Sequence, residues 1–308
     1  MLQAMERSGF SIPNSCRSGV CQSCLMRSAS SVLPAASQVG LRPALKELGY
    51  FLSCICKPET DLEITNAGDE ICSRTQATLI SRLSLNRDVY QLTCQAETPF
   101  EFHPGQFVHI TRPEDGLFRS YSIASLPTQD GKHRFHGRLL PGGQLSQWLC
   151  QSISVGDKVT ISGPFGSCFY TEEARDNNML LIGTGTGLAP LYGILLDALA
   201  KGHKGDIHLY HGSYSAVGLY MIDDLRALAE KKSIFHYVPC VDAGDNSRFA
   251  IGRAADIALQ QHSNLKGSRV FICGHPRMVK STKRRAFLAG ASLQHILADP
   301  FVVAASSV

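Results

Sequence analysis

MLLIGTGTGLAP, residues 179–190, reads as an apolar strand running into a glycine-rich turn and then into a helix that starts near Leu188. Gly183, Gly185 and Gly187 let backbone approach a pyrophosphate, and the helix behind them offers N–H groups and the positive end of its dipole. A glycine turn alone is weak evidence, but its place between a strand and a helix strengthens it. Working outward toward the C-terminus, DIHLYHG (206–212), IFHYVPCV (234–241) and RVFICG (269–274) are further apolar strands. They alternate with helices over 188–200, around IDDLRALAEK (222–231), near AADIALQQ (254–261) and over 278–289. That alternation predicts an α/β domain over 177–308, a parallel sheet with helices on both faces. RVFICG ends in Cys273 and Gly274 where the chain turns into a helix, the edge at which open α/β sheets bind ligands. Taken alone, Cys273 reads first as a small buried apolar residue.

Upstream, from 76 to 176, the pattern changes to short β-rich runs: QATLISRLSL, VYQLTCQ, GQFVHITR, RSYSIAS, HRFHGRLL and DKVTISG. Proline, glycine and aspartate turns separate them, and one helix is expected near QLSQWLCQ (144–151). Regularly spaced strands of this kind predict an antiparallel β-barrel. In FRSYSIAS (118–125), strand alternation puts Arg119 and Tyr121 on one face, so a charge suited to phosphate and a ring suited to a flat ligand point together. On an isolated strand the same pair would be a surface cation–π contact.

The first 70 residues are cysteine-rich. Cys16, Cys21 and Cys24 follow C-x4-C-x2-C in CRSGVCQSC (16–24), and Cys54 and Cys56 come later in LSCIC (52–56). This is the spacing that holds a plant-type 2Fe-2S cluster, and Ser15, Arg17, Ser18 and Gly19 make a small-residue loop whose N–H groups can wrap a cluster sulfur. Structural zinc sites come as two paired knuckles, and only one close pair exists here. Either Cys54 or Cys56 could be the fourth ligand. The segment ends in a short strand signal, DLEIT (61–65), and a polar linker, NAGDE (66–70).

At 308 residues the chain is expected to hold two or three domains. A net charge of +4 is too slight and dispersed for nucleic acid, and Lys283, Arg284 and Arg285 read as a solvated helix face. No run is long and apolar enough for a membrane span, and MLQAMERSGFSIP has no secretory h-region. Eleven cysteines without pairing logic fit a reducing cytoplasm.

RSYS, RLLPGGQLSQWL (138–149), GPFG (163–166), GTGTGLAP and CGHPRMV occur in the order seen in the ferredoxin–NADP reductase superfamily. With the cysteine segment in front, the whole chain resembles the reductase components of multicomponent oxygenases, iron–sulfur flavoproteins that feed electrons to dioxygenases and monooxygenases. The resemblance implies three domains: a ferredoxin-like α+β domain of the β-grasp kind over 1–70, an FAD-binding antiparallel β-barrel over 76–176, and an NAD(P)-binding α/β parallel-sheet domain over 177–308. It implies that Cys16, Cys21, Cys24 and Cys54, rather than Cys56, hold the 2Fe-2S cluster. Arg119 and Ser146 would hold the FAD pyrophosphate, with Ser120 and Gly143 at the same cofactor. Tyr121 would pack against the isoalloxazine and Ser122 approach its N5. Gly183, Gly185 and Gly187 would bind the nicotinamide dinucleotide, with Cys273 and Gly274 beside the nicotinamide, making Ser122 and Cys273 the catalytic pair. Phe301, in ADPFVV, would cover the other flavin face; its alternative is a core anchor for the tail.

Two departures from that pattern matter. Relatives begin with a β-hairpin before the helix that starts here at Met1, so the ferredoxin module reads as truncated at its N-terminus. DLEIT is then expected to be an unpaired, exposed strand. The loop HGSYSAVGLY (211–220) carries neither an acid for a ribose 2′-OH nor an arginine for a 2′-phosphate, which favours NADH with NADPH possible.

The function expected is that of an NAD(P)H-dependent reductase: hydride passes to FAD, and single electrons pass through 2Fe-2S to an acceptor protein, an oxygenase. Two rivals follow from the same residues. One is a reductase for a non-oxygenase partner such as a deoxysugar dehydratase, and the other a non-catalytic redox-sensing module with a degraded cluster site.

Overall fold

The computed structural model describes residues 1–10, 12, 17, 19, 24–29, 32–66, 73–128, 130–243 and 248–301. The chain divides into two compact units, Met1–Ile71 and Cys72–Val308.

The first unit contains α1 (Leu2–Arg7), β1 (Leu25–Ser28), α2 (Pro43–Glu47), β2 (Tyr50–Leu52) and β3 (Ile64–Asn66). Its described strands form an antiparallel sheet in the order β2-β1-β3. Leu2, Met26 and Phe51 are buried on one side of it, Cys24, Leu41 and Leu52 on the other. The expectation of an unpaired DLEIT is corrected here. Thr65 pairs with Arg27 and Ile64 with Ser28, and the Ser28 hydroxyl donates to the Glu63 carbonyl at 2.9 Å, so the end of this segment has a strand to bind. Most of the linker expected after it lies outside the described residues, as do Cys16 and Cys21.

The second unit opens with the barrel: β4 (Ser73–Ser84), β5 (Val89–Ala96), β6 (Phe107–Thr111), β7 (Phe118–Ser122), β8 (Lys132–Arg138) and β9 (Lys158–Phe165), with α3 (Gln144–Gln147) between the last two. The strands run β7-β6-β9-β4-β5-β8, all neighbours antiparallel, and an Ile123–Phe135 bridge brings the two edges together. Inward alternation fills the interior with Leu79, Leu92, Val108, Ile110, Phe135, Val159 and Ile161. Each such side chain contributes about 1.5–3 kcal/mol of burial free energy.

The same unit continues with β10 (Met179–Thr184), α4 (Leu188–Ala200), β11 (Ile207–Ser213), α5 (Ile222–Lys231), β12 (Phe235–Val241), β13 (Ala250–Ile251), α6 (Ala254–Gln261), β14 (Arg269–Gly274), α7 (Pro276–Leu288) and β15 (Ile296–Pro300). The strands are all parallel, in the order β13-β12-β11-β10-β14-β15. The chain winds outward from β10 through β11 and β12, then returns to place β14 on the other side of β10. That reversal opens a crevice at the carboxyl ends of β10 and β14. Helix α7 starts two residues before the expected Met278, because Pro276 occupies its first turn and His275 Nδ1 accepts from the Arg277 N–H at 3.3 Å.

Candidate functional site

The glycine turn after β10 and the Cys273–Gly274 turn after β14 press against each other at that crevice. A Cβ on Gly187 would run into the Cys273 carbonyl, and one on Gly274, whose φ is +125°, would meet the Thr184 carbonyl oxygen at 2.8 Å. Only glycine satisfies both positions. In register, Gly183 faces Cys273 across the β10–β14 pair, and Cys273 faces Asp299 across β14–β15. Three strands therefore bring the glycine turn, the cysteine and a carboxylate side by side.

The barrel supplies the fourth member. Ser122, last residue of β7 and buried, lies with its hydroxyl 3.4 Å from Asp299 Oδ2. Burial pushes the Asp299 carboxyl up to about 6, with the Ser122 hydrogen bond opposing that rise. Cys273 is fully buried, and burial raises its thiol well above the ordinary range; its sulfur is 3.9 Å from that of Cys168. Phe301 follows β15 directly, and its N–H donates to the Gly274 carbonyl at 2.8 Å, which fixes the tail beside the second turn. Residues 302–308 lie outside the described residues.

Along β7, Arg119 pairs with Ile110 and Tyr121 with Val108, so the two share a face. Arg119 is exposed and its Nη1 donates to the Phe118 carbonyl at 2.6 Å; Tyr121 packs against the barrel core, and burial pushes its phenol up. Ser120 alternates to the opposite face, where its hydroxyl is 3.2 Å from His109 Nδ1. Ser146 is turned into its own loop, donating to the Gly143 carbonyl at 3.0 Å and accepting from the Leu140 N–H at 3.1 Å. A Cβ on Gly143 would strike that hydroxyl. An exposed guanidinium, an aromatic ring on the same strand face and a hydroxyl at the strand's end form a donor set that fits a flavin dinucleotide.

Three participants were not named from the motifs. Asp299 stands in ADPF, two residues before the Phe301 that was. Arg138, in RLLPGG, holds Asp88 through Nε at 3.1 Å and Nη2 at 3.0 Å, and its Nη1 lies 3.6 Å from where a Cβ on Gly185 would be. It thus sets a cation from the barrel beside the glycine turn. His211, in β11 and fully buried, has Nε2 3.3 Å from the Gly185 carbonyl oxygen, and burial lowers its imidazole to about 4, keeping it neutral. Nothing in spacing marks any of the three, because their partners lie far away in sequence.

In the first unit, Cys24 and Cys54 share an apolar cluster with Leu41, Tyr50 and Leu52. The N–H and hydroxyl of Ser53, next to Cys54, donate to the Cys24 carbonyl at 3.1 and 3.0 Å. These bonds hold the backbone at Cys24 beside that at Ser53 and Cys54, which fits two ligands of one cluster. Cys56 is buried in a second cluster with Leu2, Met26 and Phe51, which Cys54 also borders, and burial raises its thiol.

Comparison with known proteins matches three family models along the chain. A family model described as a 2Fe-2S iron-sulfur cluster binding domain matches residues 1–59, an oxidoreductase FAD-binding domain matches 76–170, and an oxidoreductase NAD-binding domain matches 181–284. The chain is 31% identical to the ferredoxin–NAD(P)(+) reductase component of the naphthalene 1,2-dioxygenase system of Pseudomonas putida, over 98% of this chain and 93% of that one. It is 30% identical to the reductase subunit of an aromatic O-demethylase from an Amycolatopsis species, over 92% and 90%. Among solved structures, the Amycolatopsis cytochrome P450 reductase GcoB matches 97% of this chain and 93% of its own, at 29% identity and a TM-score of 0.72. With a 2Fe-2S domain, a flavin barrel and a nicotinamide sheet in one chain, and relatives matched over nearly its whole length, the chain belongs to the iron–sulfur flavoprotein reductase components of multicomponent oxygenases.

Proposed function

We propose that this chain takes hydride from NADH and delivers single electrons to the oxygenase component of a multicomponent system. The observation that carries the reading is the meeting of Ser122, Asp299 and Cys273 at the carboxyl ends of the parallel strands, where barrel and sheet converge. Bound FAD would accept two electrons as hydride and release them one at a time to the 2Fe-2S cluster.

The protein's own residues position those groups. Arg119 neutralises FAD phosphate charge with Ser146 alongside, and Tyr121 backs the isoalloxazine with Phe301 on its other side. Gly183, Gly185 and Gly187 let the dinucleotide approach the turn, and Arg138, braced by Asp88, adds a cation there. Cys273 and Gly274 seat the nicotinamide. Ser122 approaches N5, and Asp299, whose raised proton affinity lets it donate or accept near neutral pH, holds the Ser122 hydroxyl in orientation. Cys16, Cys21, Cys24 and Cys54 hold the cluster.

NADH is the proposed donor, because 211–220 offers no arginine to pair a 2′-phosphate. The cytoplasm is the proposed compartment, because the cysteines of the chain are scattered without the pairing logic of a disulfide framework. No helix among the described residues is long and apolar enough to cross a membrane. The pairing of β3 with β1 removes the exposed-strand argument for a non-catalytic sensor.

The ligand set is tested by two substitutions. Cys54→Ser should lose the iron–sulfur absorbance and NADH-driven cytochrome c reduction while keeping bound FAD and ferricyanide reduction, and Cys56→Ser should keep all four. A cluster that survives in the first variant and is lost in the second overturns the assignment.

A further inference from the structure

His211 is fully buried in β11, where Leu209 and Tyr210 are buried too, and it lies directly across from Gly183 in the β10–β11 register. An imidazole in such a place costs free energy unless its nitrogens are hydrogen-bonded. Both are. Nε2 is 3.3 Å from the Gly185 carbonyl oxygen, and Nδ1 is 3.4 Å from Tyr237 Oη. The Tyr220 ring stands edge-on to the imidazole with centroids 5.3 Å apart, and its own hydroxyl is engaged with His136 Nδ1 at 3.1 Å.

These partners fix the tautomer. Burial lowers the His211 imidazole to about 4, so the ring carries one ring proton at pH 7. A carbonyl oxygen only accepts, which puts that proton on Nε2 and leaves the Nδ1 lone pair for the Tyr237 hydroxyl to donate to. The ring therefore holds the Gly185 carbonyl from the buried side of the turn. The Gly185–Thr186 peptide is trans, so its N–H, that of Thr186, points the opposite way. Gly185 has a φ of +54° and no Cβ to restrict it, so a hydrogen bond from outside the turn is needed to select one orientation of this peptide plane.

We propose that His211 is a positioning residue for the dinucleotide: by holding the Gly185 carbonyl inward it turns the Thr186 N–H outward, as a donor to the pyrophosphate of NADH. The inference rests on the reading of the glycine turn as the dinucleotide site. The Arg138 guanidinium, whose Nη1 lies 3.6 Å from where a Cβ on Gly185 would be, stands at the same peptide. Backbone donor and cation then address one anion, the combination that binds phosphate groups most strongly. Because the contact is to the pyrophosphate and not to the nicotinamide, its loss weakens binding of the dinucleotide without slowing hydride transfer from the bound one.

The test compares the holoenzyme with its His211→Leu and His211→Gln variants in NADH–ferricyanide turnover and in inhibition by ADP-ribose, which keeps the pyrophosphate and lacks the nicotinamide. Leucine fills the space without a donor, whereas glutamine carries an amide N–H with a reach similar to that of Nε2 and an oxygen to accept from Tyr237. His211→Leu should raise the KM for NADH and the inhibition constant of ADP-ribose on the order of tenfold or more, with kcat within about twofold of wild type. His211→Gln should bring both constants back to within about threefold of wild type. A merely structural role would instead lower kcat or FAD content along with affinity, would not be rescued by glutamine, and would overturn the proposal. On the wild type itself, 15N spectra should show His211 protonated on Nε2, and the Thr186 amide should move downfield when ADP-ribose binds. A ring protonated on Nδ1, or a Thr186 amide that does not move, overturns the proposal even where a variant fails to fold. With a wild type that oxidises NADH, a His211→Leu KM within about twofold of wild type overturns this inference alone. A wild type that binds neither NADH nor ADP-ribose overturns the reading of the site, and the inference with it.

Discussion

Asp299 concentrates the chemistry of the site in one side chain, because it is the residue through which a barrel strand and the parallel sheet exchange a hydrogen bond. Its carboxyl titrates near 6 against an ordinary 3.8, since burial penalises the charge. A folded-state carboxyl held above its unfolded value binds its proton more tightly in the native protein, so the contribution of Asp299 to stability is fully present below pH 4 and is lost as pH rises through 6. Asp299→Asn should relieve that penalty, raising stability at pH 8 by about 2–3 kcal/mol relative to wild type and by nothing at pH 4. It should also remove an inflection near pH 6 from the rate of NADH-driven flavin reduction. Denaturant melts that show the same difference at both pH values would refute the burial argument. Arg119→Ala removes charge-assisted hydrogen bonds, so FAD should bind on the order of tenfold more weakly; unchanged retention on dialysis would end its phosphate role. Ser122 and Cys273 could be named from the sequence because each sits in a motif, whereas Asp299 could not. Its partner Ser122 is 177 residues away, and no local spacing encodes such a pair.

At the scale of elements, the legible parts were those with enough length to show a period. Helices α4, α5 and α6 and strand β14 stand where their patterns place them, and the barrel strands lie within a few residues of the expected runs. The elements that escaped are short. β1, β2, β13 and β15 span two to five residues and are held by pairing rather than by their own patterns, and DLEIT joins its sheet only through its last residues. The glycine turn and the turn after β14 work as one unit because each fills the space a side chain would need in the other. Gly187→Ala should therefore displace the Cys273 carbonyl and raise the KM for NADH tenfold or more while FAD stays bound. A KM within twofold of wild type would show that the close approach is dispensable.

The whole molecule places a cluster-binding unit before a unit that joins flavin barrel and nicotinamide sheet, an order legible from the motifs because each cofactor leaves its own chemistry in the chain. The acceptor was not legible in the same way, since a docking surface is assembled from residues without a shared motif. The central claim is that all three redox groups work in series in one chain. Its most direct test is an anaerobic titration of the purified protein with NADH, followed by absorbance. The account predicts flavin bands together with a broad iron–sulfur shoulder in the oxidised protein, both bleached, with the end point at about 1.5 equivalents of NADH for two flavin electrons and one cluster electron. A flavin that bleaches alone at one equivalent, or a shoulder that NADH leaves untouched, would contradict it.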